Sequence, residues 1–301
     1  MVSFIFMKTR AIILSAFFIM FFASSLMGAE VYFYGKDQTL IGNVQTYKVK
    51  EGESLIEIAR NFDVGFNEIA AANPTLDPFV PGTGVAVVLP RLWILPDVES
   101  YSGIVVNISE MRLYYFFEQG RSKVVRTFPI GIGDEGKDTP VGTFRVIQKI
   151  LNPVWHVPPS IQKERPELPK AVPPGPENPL GSHALRLSLG DVLIHGTNRP
   201  FAVGRRVTHG CIRLYPEDIP KLYAMVPNGT RVTVIRQPVK VGVKDKRVYI
   251  EVHKYENQEE FNYFNEAVKM LTKKGLLKDV STEKIYQAVE EKSGIPVDIS
   301  L

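Results

Sequence analysis

The chain has 301 residues, one cysteine, and 36 lysines and arginines against 32 aspartates and glutamates, giving a net charge of +4 spread along its length. No basic stripe collects anywhere, so nucleic acid is excluded as a partner, and a single cysteine excludes a disulfide within the chain. The length fits one medium domain together with smaller ones.

Residues 1–29 place Lys8 and Arg10 before an apolar run, 11–22, which ends in small residues around Ala23-Ser24-Ser25 and Gly28-Ala29. This is the order of an export signal, and the run is shorter than the roughly 20 residues that span a bilayer. Cleavage near Ala29 is expected, with retention as an anchor the alternative. The mature protein then lies in the periplasm or cell envelope. In such oxidising compartments cysteines usually come in pairs, which makes Cys211 conspicuous.

Residues 45–90 read as strand, helix, helix, strand. Tyr47-Lys48-Val49 alternates like a strand, and Ser54-Leu55-Ile56-Glu57 has capping-box spacing for a helix over 54–62 with Leu55, Ile58, Ala59 and Phe62 on one face. Phe66, Ile69 and Ala70 repeat the spacing until Asn73-Pro74 stops it, and residues 85–89 supply a second strand to pair with the first. These residues, with Glu51-Gly52-Glu53 and Pro81-Gly82, resemble a LysM module. The resemblance implies a small βααβ fold that binds the N-acetylglucosamine-containing glycan of cell walls.

Residues 100–236 change to strands. Runs at 104–108, 112–117 and 123–130 are β-branched and aromatic, Gly131-Ile132-Gly133-Asp134 loops out, and Thr139-Pro140-Val141-Gly142 leads into another strand. Nine prolines between 153 and 179 interrupt this meander. A loop of that length inside a domain is expected to be a lid, with Trp155 lining a substrate channel or simply packing. Strands resume at 184–187 and 192–194, which places His195 at a strand end. Residues 237–301 form an appended unit with a short strand at 248–252 and helices over 259–277 and 282–291.

A thiolate is the attacking form of cysteine, and a nearby imidazole either takes its proton or stabilises it as an ion pair. Two histidines lie close before Cys211 in the sequence, His195 by 16 residues and His209 by two. On a strand His209 and Cys211 would share a face, so either histidine could serve as base. Gly210 lets the chain turn so that the N–H groups of His209, Gly210 and Cys211 converge as an oxyanion hole. Two histidines and one cysteine without a spaced carboxylate make a poor zinc set. An inert buried thiol fits badly among Thr208, His209 and Arg213.

His195-Gly196-Thr197-Asn198 followed by Thr208-His209-Gly210-Cys211-Ile212-Arg213-Leu214 resembles the signature of the L,D-transpeptidases. The resemblance covers about residues 102–236 and includes Asn178-Pro179-Leu180-Gly181 and Ala184-Leu185. It implies a mainly β catalytic domain, an antiparallel sandwich or barrel-like sheet, between the βααβ module and a C-terminal helical subdomain. It further implies Cys211 as nucleophile, His195 as base oriented by the Gly196 carbonyl, His209 as an organiser, and Thr208 and Arg213 as residues shaping the pocket. Many members carry asparagine where Arg213 stands. The implied donor is a peptidoglycan tetrapeptide stem, cut after its third residue with loss of D-alanine. The acceptor is an amine, either another stem's diamino acid or a lysine of a wall-anchored lipoprotein. Inactivation by carbapenems is also implied, and no metal or organic cofactor. The competing readings are a cysteine-dependent wall hydrolase or amidase on the same fold, and a non-catalytic wall-binding protein.

Overall fold

The computed structural model describes residues 31–254 and 261–301; the expected export signal at 1–29 and the start of the helix expected from 259 lie outside the described residues. Among the described residues no helix is long and apolar enough to cross a membrane.

In the first unit, the strands Gln45–Lys48 and Ala86–Leu89 pair antiparallel around the helices Leu55–Asn61 and Phe66–Ala72. The capping box forms as the spacing predicts, with Ser54 Oγ accepting from the Glu57 N–H and the Glu57 carboxylate accepting from the Ser54 N–H at 2.9 Å. Leu55, Ile58, Val64, Ile69, Val87 and Leu89 are buried together beneath the strands. The buried Asn73 side chain exchanges two hydrogen bonds with the Val88 backbone, tying the end of the second helix to the second strand.

The central body is one curled nine-stranded sheet. Its order runs Val31–Phe33, Ser122–Pro129, Arg112–Gln119, Gly103–Asn107, Arg231–Ile235, Gly142–Leu151, His183–Leu187, Leu193–His195 and Ile212–Arg213. All neighbours are antiparallel except Gly103–Asn107 with Arg231–Ile235 and Leu193–His195 with Ile212–Arg213. Ile104, Val106, Leu113, Phe128, Leu185, Ile194, Ile212 and Val234 fill the curl, closed by the helix Ile219–Met225. This is the mainly β catalytic fold that the sequence led us to expect. The parallel contact is what matters for chemistry, because it sets the two halves of the signature side by side.

The C-terminal unit is less purely helical than its periodicity suggested. The helices Tyr263–Lys273 and Thr282–Glu291 pack on a three-stranded antiparallel sheet of Val239–Lys244, Arg247–Val252 and Val297–Asp298. Val239-Lys240-Val241-Gly242-Val243 escaped notice because Lys240, an unlikely core residue, sits fully buried in it. Its ammonium lies 2.6 Å from Glu110, 2.8 Å from Glu251 and 2.7 Å from the Ile94 carbonyl. Glu110, Glu251 and His253 come close enough to hold a metal, but Lys240 already provides the cation between both carboxylates. The network ties the C-terminal sheet to the central one.

A second buried pair joins the first unit to the sheet. Arg112 lies between Glu68 and Trp93, with Nη2 at 2.7 Å from Glu68 Oε2, Nε at 2.9 Å from Oε1 and the guanidinium 4.1 Å from the indole ring. Both side chains are almost wholly shielded, at 0% and 6% exposure. Removing one member of such a pair strands the other charge, so Arg112→Ala is expected to cost about 3–5 kcal/mol of stability. A denaturant titration measures it; a loss below about 1 kcal/mol would show that the two units are not coupled through this pair.

Candidate active site

Backbone register assembles the site. Ile194 pairs with Ile212 and His195 with Arg213 in parallel. Laterally paired residues point to the same face of a sheet, as do residues two apart along a strand. His195, Leu193 and Arg213 therefore share a face, and one further residue back along the pairing puts Cys211 opposite Leu193. Cys211 is partly exposed and packs against a small buried cluster of Leu180, Ala184 and Leu193, on which Ile150 and Trp155 also pack. Trp155, expected to line a channel or to pack, thus lies in the same apolar cluster as the thiol.

His195 is buried, and its Nδ1 is 2.6 Å from the Gly196 carbonyl. A carbonyl only accepts, so Nδ1 carries the proton and Nε2 keeps its lone pair. Burial, reinforced by the Arg213 charge, pushes the imidazolium down to about pKa 3, against the stabilising pull of the Gly196 carbonyl. The ring is neutral at physiological pH.

Cys211 is shifted the other way. Burial raises its thiol pKa, outweighing the Leu193 N–H and Arg213, which favour the thiolate. The thiol points its hydrogen at the Asp191 carbonyl, 3.7 Å away. Both shifts favour the neutral forms, an uncharged imidazole at His195 and a protonated thiol at Cys211.

The expectation that His209 and Cys211 share a strand face does not hold. The chain leaves the strand Arg206–Thr208 and bends through 209–211 before Ile212–Arg213, with Gly210 at φ +97°. That left-handed value favours glycine and breaks the two-residue alternation. Thr208, itself buried, holds the bend by donating from Oγ1 to the Cys211 carbonyl at 2.6 Å. His209 turns to another task. Its Nε2 is 2.7 Å from the Lys137 ammonium, which also meets Glu164 at 2.7 Å. An imidazole lone pair that accepts from lysine is not positioned to take the thiol proton.

The Lys137, Glu164 and His209 cluster was not visible in the sequence, since its members lie in three separate segments. Glu164 ends the short helix Pro159–Glu164 in the proline-rich segment, where Trp155–His156 also pairs with Ala171–Val172. The segment expected as a lid is therefore a structured cover. Buried Asn178 clamps it by donating to the carbonyls of Pro153, Val172 and Pro173 at 2.8, 3.2 and 3.1 Å. The other unanticipated partners are Asp191 and Leu193, which act through backbone atoms that carry no side-chain signal. A separate cavity of about 260 Å³, lined by residues including Asn67, Met111, Arg206, His253 and Lys292, contains neither Cys211 nor His195. It belongs to the seam between units.

Comparison with known proteins agrees with both resemblances. Residues 102–234 match the model of the L,D-transpeptidase catalytic domain, and residues 47–78 that of the LysM domain. The chain is 35% identical to the probable L,D-transpeptidase YbiS of Escherichia coli strain K12, covering 98% of this chain and 99% of that one. It is 38% identical to the probable L,D-transpeptidase ErfK/SrfK of Salmonella typhimurium strain LT2, over 87% and 88% of the two chains. A solved L,D-transpeptidase from Mycobacterium smegmatis aligns at 24% identity over 50% of this chain and 63% of that one, with a TM-score of 0.35.

Proposed function

The chain belongs to the L,D-transpeptidase family, and from that premise we propose that Cys211 is the nucleophile and His195 Nε2 the base of an acyl transfer between peptidoglycan stems. One observation carries this reading most: the 2.6 Å contact from His195 Nδ1 to the Gly196 carbonyl, which leaves the opposite ring nitrogen as a lone pair on the sheet face that Cys211 occupies. His195 takes the thiol proton as sulfur attacks the carbonyl of the third stem residue. The backbone N–H groups of His209, Gly210 and Cys211 hold the resulting oxyanion. Collapse breaks the C–N bond, His195 returns the proton to the departing D-alanine amine, and a thioester remains. An acceptor amine then attacks the thioester and gives a proton through His195 to the leaving sulfur, which restores the thiol.

In this reading Thr208 fixes the bend, His209 braces it through Lys137, and Trp155 covers the donor. The family resemblance extends to the division of labour along the chain: an export signal over 1–29, a glycan-binding module over 45–90, catalysis over 100–236 and a supporting unit over 237–301. A wall substrate places the protein in the cell envelope. The test is incubation with purified disaccharide tetrapeptides and reading the products by mass. Cross-linked dimers support stem-to-stem transfer, attachment to an added lysine-bearing peptide supports a protein acceptor, and tripeptides alone would replace transfer with hydrolysis.

Glycan binding falls to the exposed turn beside the first helix, where the Leu55 N–H donates to the Pro78 carbonyl and Phe79 and Val80 face solvent at 62% and 75% exposure. Deleting the module would orphan Arg112, so a point change tests it better. Phe79→Ala is expected to lower retention on isolated sacculi about tenfold, a loss typical of one aromatic stacking contact, while leaving turnover of soluble fragments within twofold. Unchanged retention on sacculi would remove Phe79 from the glycan site.

A further inference from the structure

We infer that Arg213, with Arg199 beside it, is the subsite for the free terminal carboxylate of the donor stem, and so determines that the bond cut is the one a single residue from the chain end. The inference rests on the acyl-transfer reading above and supplies what that reading lacks, a reason for choosing that carbonyl.

Three observations lead there. Arg213 lies on the same sheet face as His195, to which it is paired in register, and two residues along the chain from Cys211. Its Nε is buried with no hydrogen-bond partner. The titratable groups that act on it are Arg199 and the Cys211 thiol, and no carboxylate is among them. Among the described residues neither Arg213 nor Arg199 joins an ion pair, whereas Arg60, Arg112 and Arg206 each have an acidic partner at 2.8, 2.7 and 2.7 Å respectively. A largely buried guanidinium beside another cation is costly unless an anion completes it. Its planar fork matches a carboxylate in two hydrogen bonds.

The spacing fits one ligand. A donor whose scissile carbonyl meets Cys211 carries its terminal carboxylate one residue further, about 3.3–3.6 Å of extended peptide, toward the side of the sheet face from which the long Arg213 side chain can reach back to it. A donor with one residue more carries its carboxylate about 3.3–3.6 Å further from Cys211. An amide at the terminus has the right length but no charge.

The test compares three donors that leave the same acyl group on the enzyme: the tetrapeptide acid, its C-terminal amide, and the pentapeptide acid. The full-length protein is mixed with each, and adduct formation is followed by intact mass. The wild type is expected to acylate with the tetrapeptide acid about 10- to 100-fold faster than with the amide, the range for a charge-assisted contact, and to discriminate similarly against the pentapeptide. In Arg213→Gln the acid-to-amide ratio is expected to fall to near one, with Arg213→Lys intermediate. A ratio near one in the wild type overturns the inference without recourse to any variant, and so does a folded Arg213→Gln protein that keeps the wild-type ratio. If the wild type forms no adduct with any donor, it is the acyl-transfer reading that fails.

Discussion

Cys211→Ala is expected to abolish release of D-alanine from a disaccharide tetrapeptide, by at least about 10⁴-fold, while the protein stays folded. Without sulfur there is no atom to carry the acyl group, and the oxyanion donors can only polarise a carbonyl that nothing attacks. The fold has little at stake. Cys211 rests on the edge of a small cluster with Leu180, Ala184 and Leu193, apart from the main core, so losing one sulfur atom costs about 1 kcal/mol. Thermal unfolding and D-alanine release, measured on the same sample, separate the two effects. D-alanine release within tenfold of the wild type from a folded Cys211→Ala protein would end the nucleophile assignment.

The second large effect concerns the imidazole. His195→Gln keeps a donor toward the Gly196 carbonyl but offers no base, and acylation should fall by about 10²–10⁴-fold. The pH dependence is the sharper signature. With the folded-state pKa held near 3 by burial and Arg213, the wild-type ring stays neutral at pH 5, where an ordinary histidine would be mostly protonated. The acid limb of kcat/KM is therefore expected well below 6.5. Stability follows the same sign. Between about pH 6.5 and 3 the unfolded chain binds a proton at this residue that the folded chain refuses, so stability is lost as pH falls through that window, by an amount on the order of a few kcal/mol. His195→Gln should remove that contribution. An acid limb near 6.5, or alkylation of Cys211 by iodoacetamide that is already rapid at pH 5, would indicate a resting ion pair instead of two neutral groups.

Much of this was legible in the residues. Ser54 and Glu57 announced the first helix because a capping box is a local device, complete within four residues. The strand before His195 and the glycine before Cys211 were equally local signals. What the sequence concealed is non-local. The nine-stranded order brings residues 193–195 beside 212–213, and no periodicity reports which strands become neighbours. His209 and Cys211 do not share the face that strand alternation gave them, because Gly210, with its positive φ, ends that alternation. Lys137 and Glu164 come from a loop and from the proline-rich cover, and only the fold brings them to His209. Lys240 reads as a surface residue and is buried, since its partners Glu110 and Glu251 lie 130 and 11 positions away.

The short strands at Val31–Phe33, Leu40–Gly42 and Leu92–Ile94 show the same limit. Three residues carry no readable pattern, and each strand exists because another offers it an edge. Together with Trp93 they build an apolar patch against Val105, Tyr114 and Phe116 on the outer face of the sheet. This patch and the Arg112 and Glu68 pair give the LysM module a fixed seat relative to Cys211.

The account stands on a covalent bond to one sulfur. Mixing the full-length protein with a disaccharide tetrapeptide, quenching in acid and mapping the modified peptide by mass tests it directly. The prediction is a mass increase equal to the donor less D-alanine and carried by Cys211, formed as D-alanine is released and lost when an amine acceptor is added. D-alanine release with Cys211 unmodified throughout, or with the acyl group on another residue, would contradict it.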